Sequence, residues 1–440
     1  MAHITCITSG LRGLLNASFE LANRLQRAGH RVTYACPHDV RESVEAQGLE
    51  YVQLPAVNFN PAPPPANTDG SLGARLDEWR SAPARREAGI KAMNLQPFCE
   101  FVEAAKPDLV LIDVELYEHI FTLYGMRLPF ALITPFFATG SSAGMPPLSL
   151  GVVPGEDDRG SGLTVWKHRL RRFKQIKMVS LRNAFTERRS VLKSLARKVG
   201  YPLSRLEEYG PHVLFADKHL PVLHLTASEL EFGLASCSNV HYVGPMVARG
   251  RVDQAVSTAD RTRLGALYAA RQADGGALLY CWLTTMNNQD TDFLARVIAA
   301  VGNRADWTLI IGYSGSKPAR ELPRNVHVFE YVPQIEVLAQ ADLCITYGGM
   351  NTVHECLAER TPMLTYPRFH DQPGVAARLV HHGLAHRGDV GTDSAEVIAG
   401  RIQNVLDDDA LRAKLQQMHA TLQRYEHDSI AANVVASLLS

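Results

Sequence analysis

The sequence has no charge bias. Its 440 residues carry 45 Lys and Arg against 45 Asp and Glu, a formal net charge of zero. A chain without basic excess lacks the electrostatic footprint of a nucleic-acid binder. It also has no CxxC pair. The seven cysteines, at 6, 36, 99, 237, 281, 344 and 356, are scattered and several lie inside apolar runs. That spacing argues against a disulfide framework or zinc cage and reads as buried thiols in a reducing cytosol. No spaced His/Cys/Asp cluster points to a metal. No window approaches the roughly 18 apolar residues of a membrane span. The start, "MAHITCITSG", lacks a basic n-region and reads as a first β-strand rather than a signal peptide. A cytoplasmic location is expected.

What is present is ordinary for a globular protein: 46% apolar and 20% charged residues. The length exceeds one compact core, and two domains of about 200 residues are expected. Short apolar runs alternate with helical patterns. "HITCIT", "HRVTYACP", "YVQLP", "DLVLID" and "FALITP" are strands of the first half, closed by "HLPVLHLTASELEF" and "VHYVGPM". "GALLYCWLTT", "WTLIIGYSG", "NVHVFEYVP", "ADLCITYGG" and "PMLTYP" repeat the pattern, with helices around 290–301, 334–341 and 351–359. Strands joined through helices indicate two parallel, doubly wound sheets. The domains are expected at 1–246 and 263–425, with a polar linker at 247–262 and a C-terminal helix at 426–440 packing back on the first domain. Two long Pro/Gly-rich loops, 57–73 and 138–162, are placed to line a substrate cleft.

Residues 163–208 read as helical and basic, with twelve Lys and Arg from Lys167 to Lys198 set against little more than Glu187. They form either a solvated face or a docking surface for a membrane interface, an acidic carrier domain or an acidic substrate.

The most informative stretch is 331–372, "YVPQIEVLAQADLCITYGGMNTVHECLAERTPMLTYPRFHDQ". Tyr331 offers an aromatic face to a nucleobase, and Gln334 lies at the base edge. Gly348 and Gly349 let the backbone approach a ligand and open a helix near Asn351, whose N-terminus suits a pyrophosphate. This segment resembles the donor-binding signature of family 1 glycosyltransferases, the nucleotide-sugar-dependent enzymes of secondary metabolism. The resemblance implies a GT-B fold: two Rossmann-like domains facing each other across a cleft, the first for the acceptor and the second for the donor. It implies Glu355 on the ribose hydroxyls, Asp371 and Gln372 on the sugar, and a UDP- or TDP-sugar donor with no tightly bound cofactor. It further implies an inverting transfer to a hydroxyl of a small, largely apolar acceptor, by a monomer or homodimer.

Three positions depart from the family. In "SGLRGLLNAS" (9–18), Leu14 occupies the place of the general base that takes the acceptor proton. In "LLYCWLTTMNN", Trp282 replaces a serine and Thr284 a glycine, and Thr285 alone keeps the phosphate-facing turn. Tyr347 stands where a histidine usually meets the α-phosphate, offering a hydroxyl but no cation. The substitute acids and bases are Asp113, Glu115 and His119. Two alternatives stay open: a GT-B enzyme without sugar transfer that runs acid–base or condensation chemistry, and a non-catalytic partner of a pathway enzyme.

Overall fold

The computed structural model describes residues 1–10, 12–59, 72–138, 145–154, 162–208, 214–233, 238–250, 256–283, 291–313 and 321–439, with backbone only at 12 and 274. Fifteen strands and fifteen α-helices are described. The strands are β1 (His3–Ile7), β2 (Arg31–Cys36), β3 (Glu50–Gln53), β4 (Leu109–Asp113), β5 (Phe130–Thr134), β6 (Leu206–Glu208), β7 (Phe215–Asp217), β8 (Val222–His224), β9 (Val240–Tyr242), β10 (Ala277–Trp282), β11 (Trp307–Gly312), β12 (Val326–Phe329), β13 (Leu343–Thr346), β14 (Met363–Thr365) and β15 (Ala385–Arg387). The helices are α1 (Arg12–Arg27), α2 (Arg41–Glu45), α3 (Leu72–Ala92), α4 (Gln96–Ala105), α5 (Tyr117–Met126), α6 (Gly162–Arg182), α7 (Arg188–Lys198), α8 (Thr258–Asp274), α9 (Thr291–Gly302), α10 (Gln334–Gln340), α11 (Met350–Glu359), α12 (Gln372–His381), α13 (Ala395–Leu406), α14 (Asp409–His427) and α15 (Ile430–Leu439).

One sheet runs β3-β2-β1-β4-β5-β8-β9 and the other β12-β11-β10-β13-β14-β15, all pairs parallel. Strands such as "LVLID" and "LCIT" are buried along their whole length, as a sheet covered by helices on both faces requires. The result is a two-domain α/β molecule. In each sheet the winding reverses between two neighbours, β1 and β4 in the first and β10 and β13 in the second. Ligands of doubly wound sheets bind beyond the carboxyl ends of the strands at that reversal. The turns after β1, β4, β10 and β13 therefore define where chemistry is placed.

The two halves meet along many contacts. α15 returns to α1, where Ala431 and Val435 share a core with Leu14, Leu15 and Leu25. Buried His354 meets Thr226 Oγ1 at 2.9 Å. Gly374 N donates to Leu148 O at 2.7 Å, so close that a Cβ at Gly374 would strike the Leu148 backbone. Arg378 on α12 is sealed against Glu231, its guanidinium lying over the rings of Phe137 and Phe232.

Several elements differ from the sequence expectation. α1 begins at Arg12, so Leu14 lies in a helical turn and not in a loop. α8 begins at Thr258, inside the segment expected as linker, because Ser257 caps it by accepting from Asp260 N. The expected helical run to 208 ends at Lys198 and is followed by the antiparallel pair β6–β7. The terminal helix is broken after His427, where Ser429 takes φ +52°. Cys6, Cys36, Cys281, Cys344 and Cys356 are buried, Cys99 is half-buried, and Cys237 lies outside the described residues.

Candidate functional site

After β1, Thr8 and Ser9 lead through Gly10 (φ +76°) toward α1. Leu14 is 5% exposed and belongs to the core under this sheet. The expectation of an apolar side chain at a loop tip is corrected: the first turn of α1 turns residue 14 inward, and the backbone of Gly13 faces outward. Its carbonyl accepts from Asn351 Nδ2, at the start of α11, at 2.6 Å. Asn351 thus touches the opposite half of the molecule.

After β4, Asp113 is buried, with its oxygens accepting from Ser9 N (3.2 Å) and Glu115 N (3.0 Å). Burial raises its pKa, with Ser9 and the Glu115 amide opposing. Both oxygens are committed to the β1 and β4 turns, so Asp113 ties these turns together. Glu115, half-buried, is pushed up to about 7, first by burial and then by the charge of Asp113. Arg188 opposes that rise, while Asp371, from the other half, adds to it. Glu115 therefore lies between the two sheet edges.

His119 does not join this group. It is buried at 1% exposure, edge-on to Phe98 at 4.6 Å, and its charged neighbours are Glu118 and Arg188. Burial brings its pKa down to about 4, and neither ring nitrogen has a partner among the described residues. The expectation of a substitute base at His119 is corrected, because α5 turns this side chain to its inner, buried face.

After β13, Gly348 adopts φ +82°, a conformation that favours glycine. Gly349 is the N-cap of α11 and supplies no capping side chain. A Cβ at Gly349 would meet nothing within 4 Å, and one at Gly348 nothing closer than 3.9 Å. The helix start is therefore open and uncapped, a place where N–H groups and the helix dipole favour an anion. Tyr347 is fully buried and packs beside Phe293 within a core that includes Tyr366. The reading of its side chain as a phosphate contact is corrected, because the chain leaving β13 sends this ring into the core.

One turn further, Glu355 is buried and accepts from Gln334 Nε2 at 2.5 Å. Gln334 also donates to Thr352 Oγ1 (3.3 Å) and accepts from Tyr280 OH (3.2 Å). Gln334 and Glu355, far apart in sequence, thus form one network. Tyr280 and Thr352 complete it. Sequence reasoning missed both, since a tyrosine inside an apolar strand and a threonine inside a helix carry no distinguishing pattern. Tyr331 is half-buried in the connection between β12 and α10.

The Arg368–Asp371 turn contains His370 at φ +59°. Gln372 is buried and its Oε1 accepts from Arg368 N and Phe369 N at 3.1 and 3.3 Å. That oxygen braces the turn, which corrects the reading of Gln372 as free to contact a sugar through it. Asp371 is the N-cap of α12 with no side-chain cap bond. Its Oδ2 is buried with no partner among the described residues, and burial pushes its pKa up to about 7. Trp282, at the end of β10, lies over Gly312 of the neighbouring strand, where a Cβ would come within 2.5 Å of the indole. Thr285 falls outside the described residues.

In sequence and fold the chain is similar to known proteins. Residues 231–428 match the family model described as UDP-glucoronosyl and UDP-glucosyl transferase. Demethyllactenocin mycarosyltransferase of Streptomyces fradiae is 25% identical over 100% of this chain and 87% of its own. The crystal structure of the glycotransferase of kitacinnamycin superposes with TM-score 0.70 at 22% identity, covering 100% of this chain and 99% of that one. The chain has the GT-B glycosyltransferase fold, and its second half matches the family model of the UDP-sugar-dependent transferases. The relatives it matches over its whole length include glycosyltransferases of the antibiotic type. The spinosyn rhamnosyltransferase SpnG complexed with thymidine diphosphate has the same fold, with TM-score 0.61 at 18% identity and full coverage of both chains. Within this glycosyltransferase fold the open start of α11 and the unpartnered Oδ2 of Asp371 stand on one side. Glu115 and Arg188 stand on the other. No helix among the described residues is long and apolar enough to cross a membrane, and no metal-binding group is found among them.

Proposed function

We propose that this chain transfers a sugar from a nucleoside diphosphate sugar to a hydroxyl of a small, largely apolar natural product, with inversion. The acceptor oxygen attacks the anomeric carbon as the bond to the diphosphate breaks. The diphosphate leaves with the electron pair and is held at the start of α11 beside Gly348, Gly349 and Asn351. The acceptor proton goes to Glu115. Glu355 takes the ribose hydroxyls, Tyr331 faces the base, and Asp371 accepts from a sugar hydroxyl. Uridine and thymidine diphosphate are the candidate carriers.

The observation that carries this reading is the open, uncapped N-terminus of α11 opposite a carboxyl group poised near neutral pH. A base with pKa near 7 is half ionised at working pH and still basic enough to accept a proton. Among the three substitute candidates, Asp113 is occupied by two amides and His119 is enclosed. Glu115 alone combines access and a matched pKa.

Calorimetric titration with uridine and thymidine diphosphate tests the donor half. Binding of at least one is expected, and no heat at millimolar nucleotide would refute the reading. Buried Leu14 and the indole over Gly312 favour a second reading, acid–base chemistry on a biosynthetic intermediate without a sugar. Turnover in the complete absence of nucleotide sugar would select it.

A further inference from the structure

Eleven large hydrophobic side chains are exposed among the described residues, and nine of them lie on two helices, three on α3 and six on α6. Leu76 and Trp79 project from α3; Trp166, Phe173, Met178 and Leu181 project from α6. The two helices are tied at one end: Trp79 packs edge-on against Phe185, just past the end of α6, at 5.3 Å, and Arg86 bonds the Phe185 carbonyl. The opposite side of α6 is fixed, with Val165 and Ser180 buried, His168 bonded to Ser149 and Arg169 to Met145 O.

Charge is as uneven here as apolar exposure. α6 carries seven Lys or Arg and no Asp or Glu, in a chain whose charges cancel. Burial, together with Arg172, Arg171 and Arg169, keeps His168 below its ordinary pKa, as a concentrated positive field would. At 3.6 residues per turn, Leu163, Trp166, Phe173 and Leu181 fall within about 80° of arc, and Lys167, Arg171, Lys174 and Arg182 occupy the next 80° or so. An apolar stripe beside a cationic one, along a helix of about 31 Å, is the pattern of a helix lying in a lipid interface.

We propose that α3 and α6 form a docking surface for an anionic lipid membrane. The apolar side chains enter the boundary between headgroups and acyl chains, and Lys167, Arg171 and Lys174 meet lipid phosphates. Lipid fits better than an acidic protein because the apolar groups stand out on the exposed side of a helix beside a row of cations, and do not line a groove. Trp and Lys are suited to that boundary, each having an apolar body and a polar end. The proposal is independent of the sugar-transfer reading, since none of these residues lies in the candidate site.

Flotation of the full chain with vesicles tests it. Binding to vesicles containing phosphatidylglycerol, weaker at high salt and absent on pure phosphatidylcholine, is expected. Removing three cations together (K167Q, R171Q and K174Q) is expected to lower partitioning about a hundredfold, at about fivefold per cation. The pair W166A and F173A is expected to abolish flotation, and thermal melting of both variants is expected to match the parent because every substituted side chain is on the outer face. Failure of the parent to float on anionic vesicles at low salt overturns the proposal. So does equal flotation of all three proteins, or capture by a polyglutamate matrix without flotation, which would assign the surface to an acidic protein.

Discussion

The carboxyl edges of the two sheets are built from the same parts and differ in what those parts do. At the second edge the working features are backbone features: the positive φ of Gly348, the bare N-cap at Gly349 and the helix axis of α11. At the first edge they are side-chain features set by burial: Leu14 turned into the core, Asp113 held by two amides and Glu115 raised to about 7. Holding a diphosphate needs a fixed arrangement of N–H donors, which few sequences satisfy. Taking a proton needs only one group of suitable pKa within reach, and several positions around a cleft can supply it. On the proposed reading, the second edge holds the donor and the base at the first edge is Glu115 in place of residue 14.

Substitutions can separate the two edges. Glu115→Gln is expected to lower kcat about 100- to 10,000-fold and leave nucleoside diphosphate affinity unchanged, as steady-state kinetics and calorimetry would read. Weakened nucleotide binding would instead place Glu115 on the donor side. Arg378→Met leaves Glu231 buried and unpaired between the halves and is expected to cost about 3–5 kcal/mol in urea unfolding. Leu14→His would return the family's usual residue but set an imidazole into a packed core. The expected result is a loss of about 2–4 kcal/mol with no gain in transfer; a faster enzyme would show that residue 14 reaches the acceptor. Gly348→Ala strains the left-handed turn by about 1–2 kcal/mol and is expected to weaken nucleotide binding while Glu115 keeps its titration.

Much of the fold was legible because doubly wound sheets write themselves as apolar runs separated by helices. "DLVLID" and "ADLCITYGG" became β4 and β13 nearly as read. Short or capped elements were less visible. β15 has three residues and no apolar run, and α8 announces itself only through the Ser257–Asp260 cap. Of the site, Gly348, Gly349, Asn351, Glu355 and Asp371 were readable as a spaced motif. The structure brings Gln334 and Glu355 into one network that spacing alone could not show. Side-chain direction was the part that misled. Leu14, Tyr347 and Gln372 occupy the expected places in the chain, yet the first two face the core and the third braces its own turn. The charges that act on Glu115 were hidden for a related reason: Arg188 and Asp371 come from distant segments, and only the fold brings their fields to bear on it.

The central claim is that Glu115 has taken over proton removal at an acceptor edge whose usual base is gone. The dependence of kcat/KM on pH, measured for the parent and for Glu115→Gln, tests it most directly. Since Glu115 must be ionised to accept a proton and its pKa is raised to about 7, parent activity is expected to be low in acid and to rise through that pH. Asp371 is raised to a similar value, so the limb belongs to the pair, and removing one member must change it. The account predicts that the acid limb is lost or displaced in Glu115→Gln. The same limb at the same pH in both proteins would contradict it.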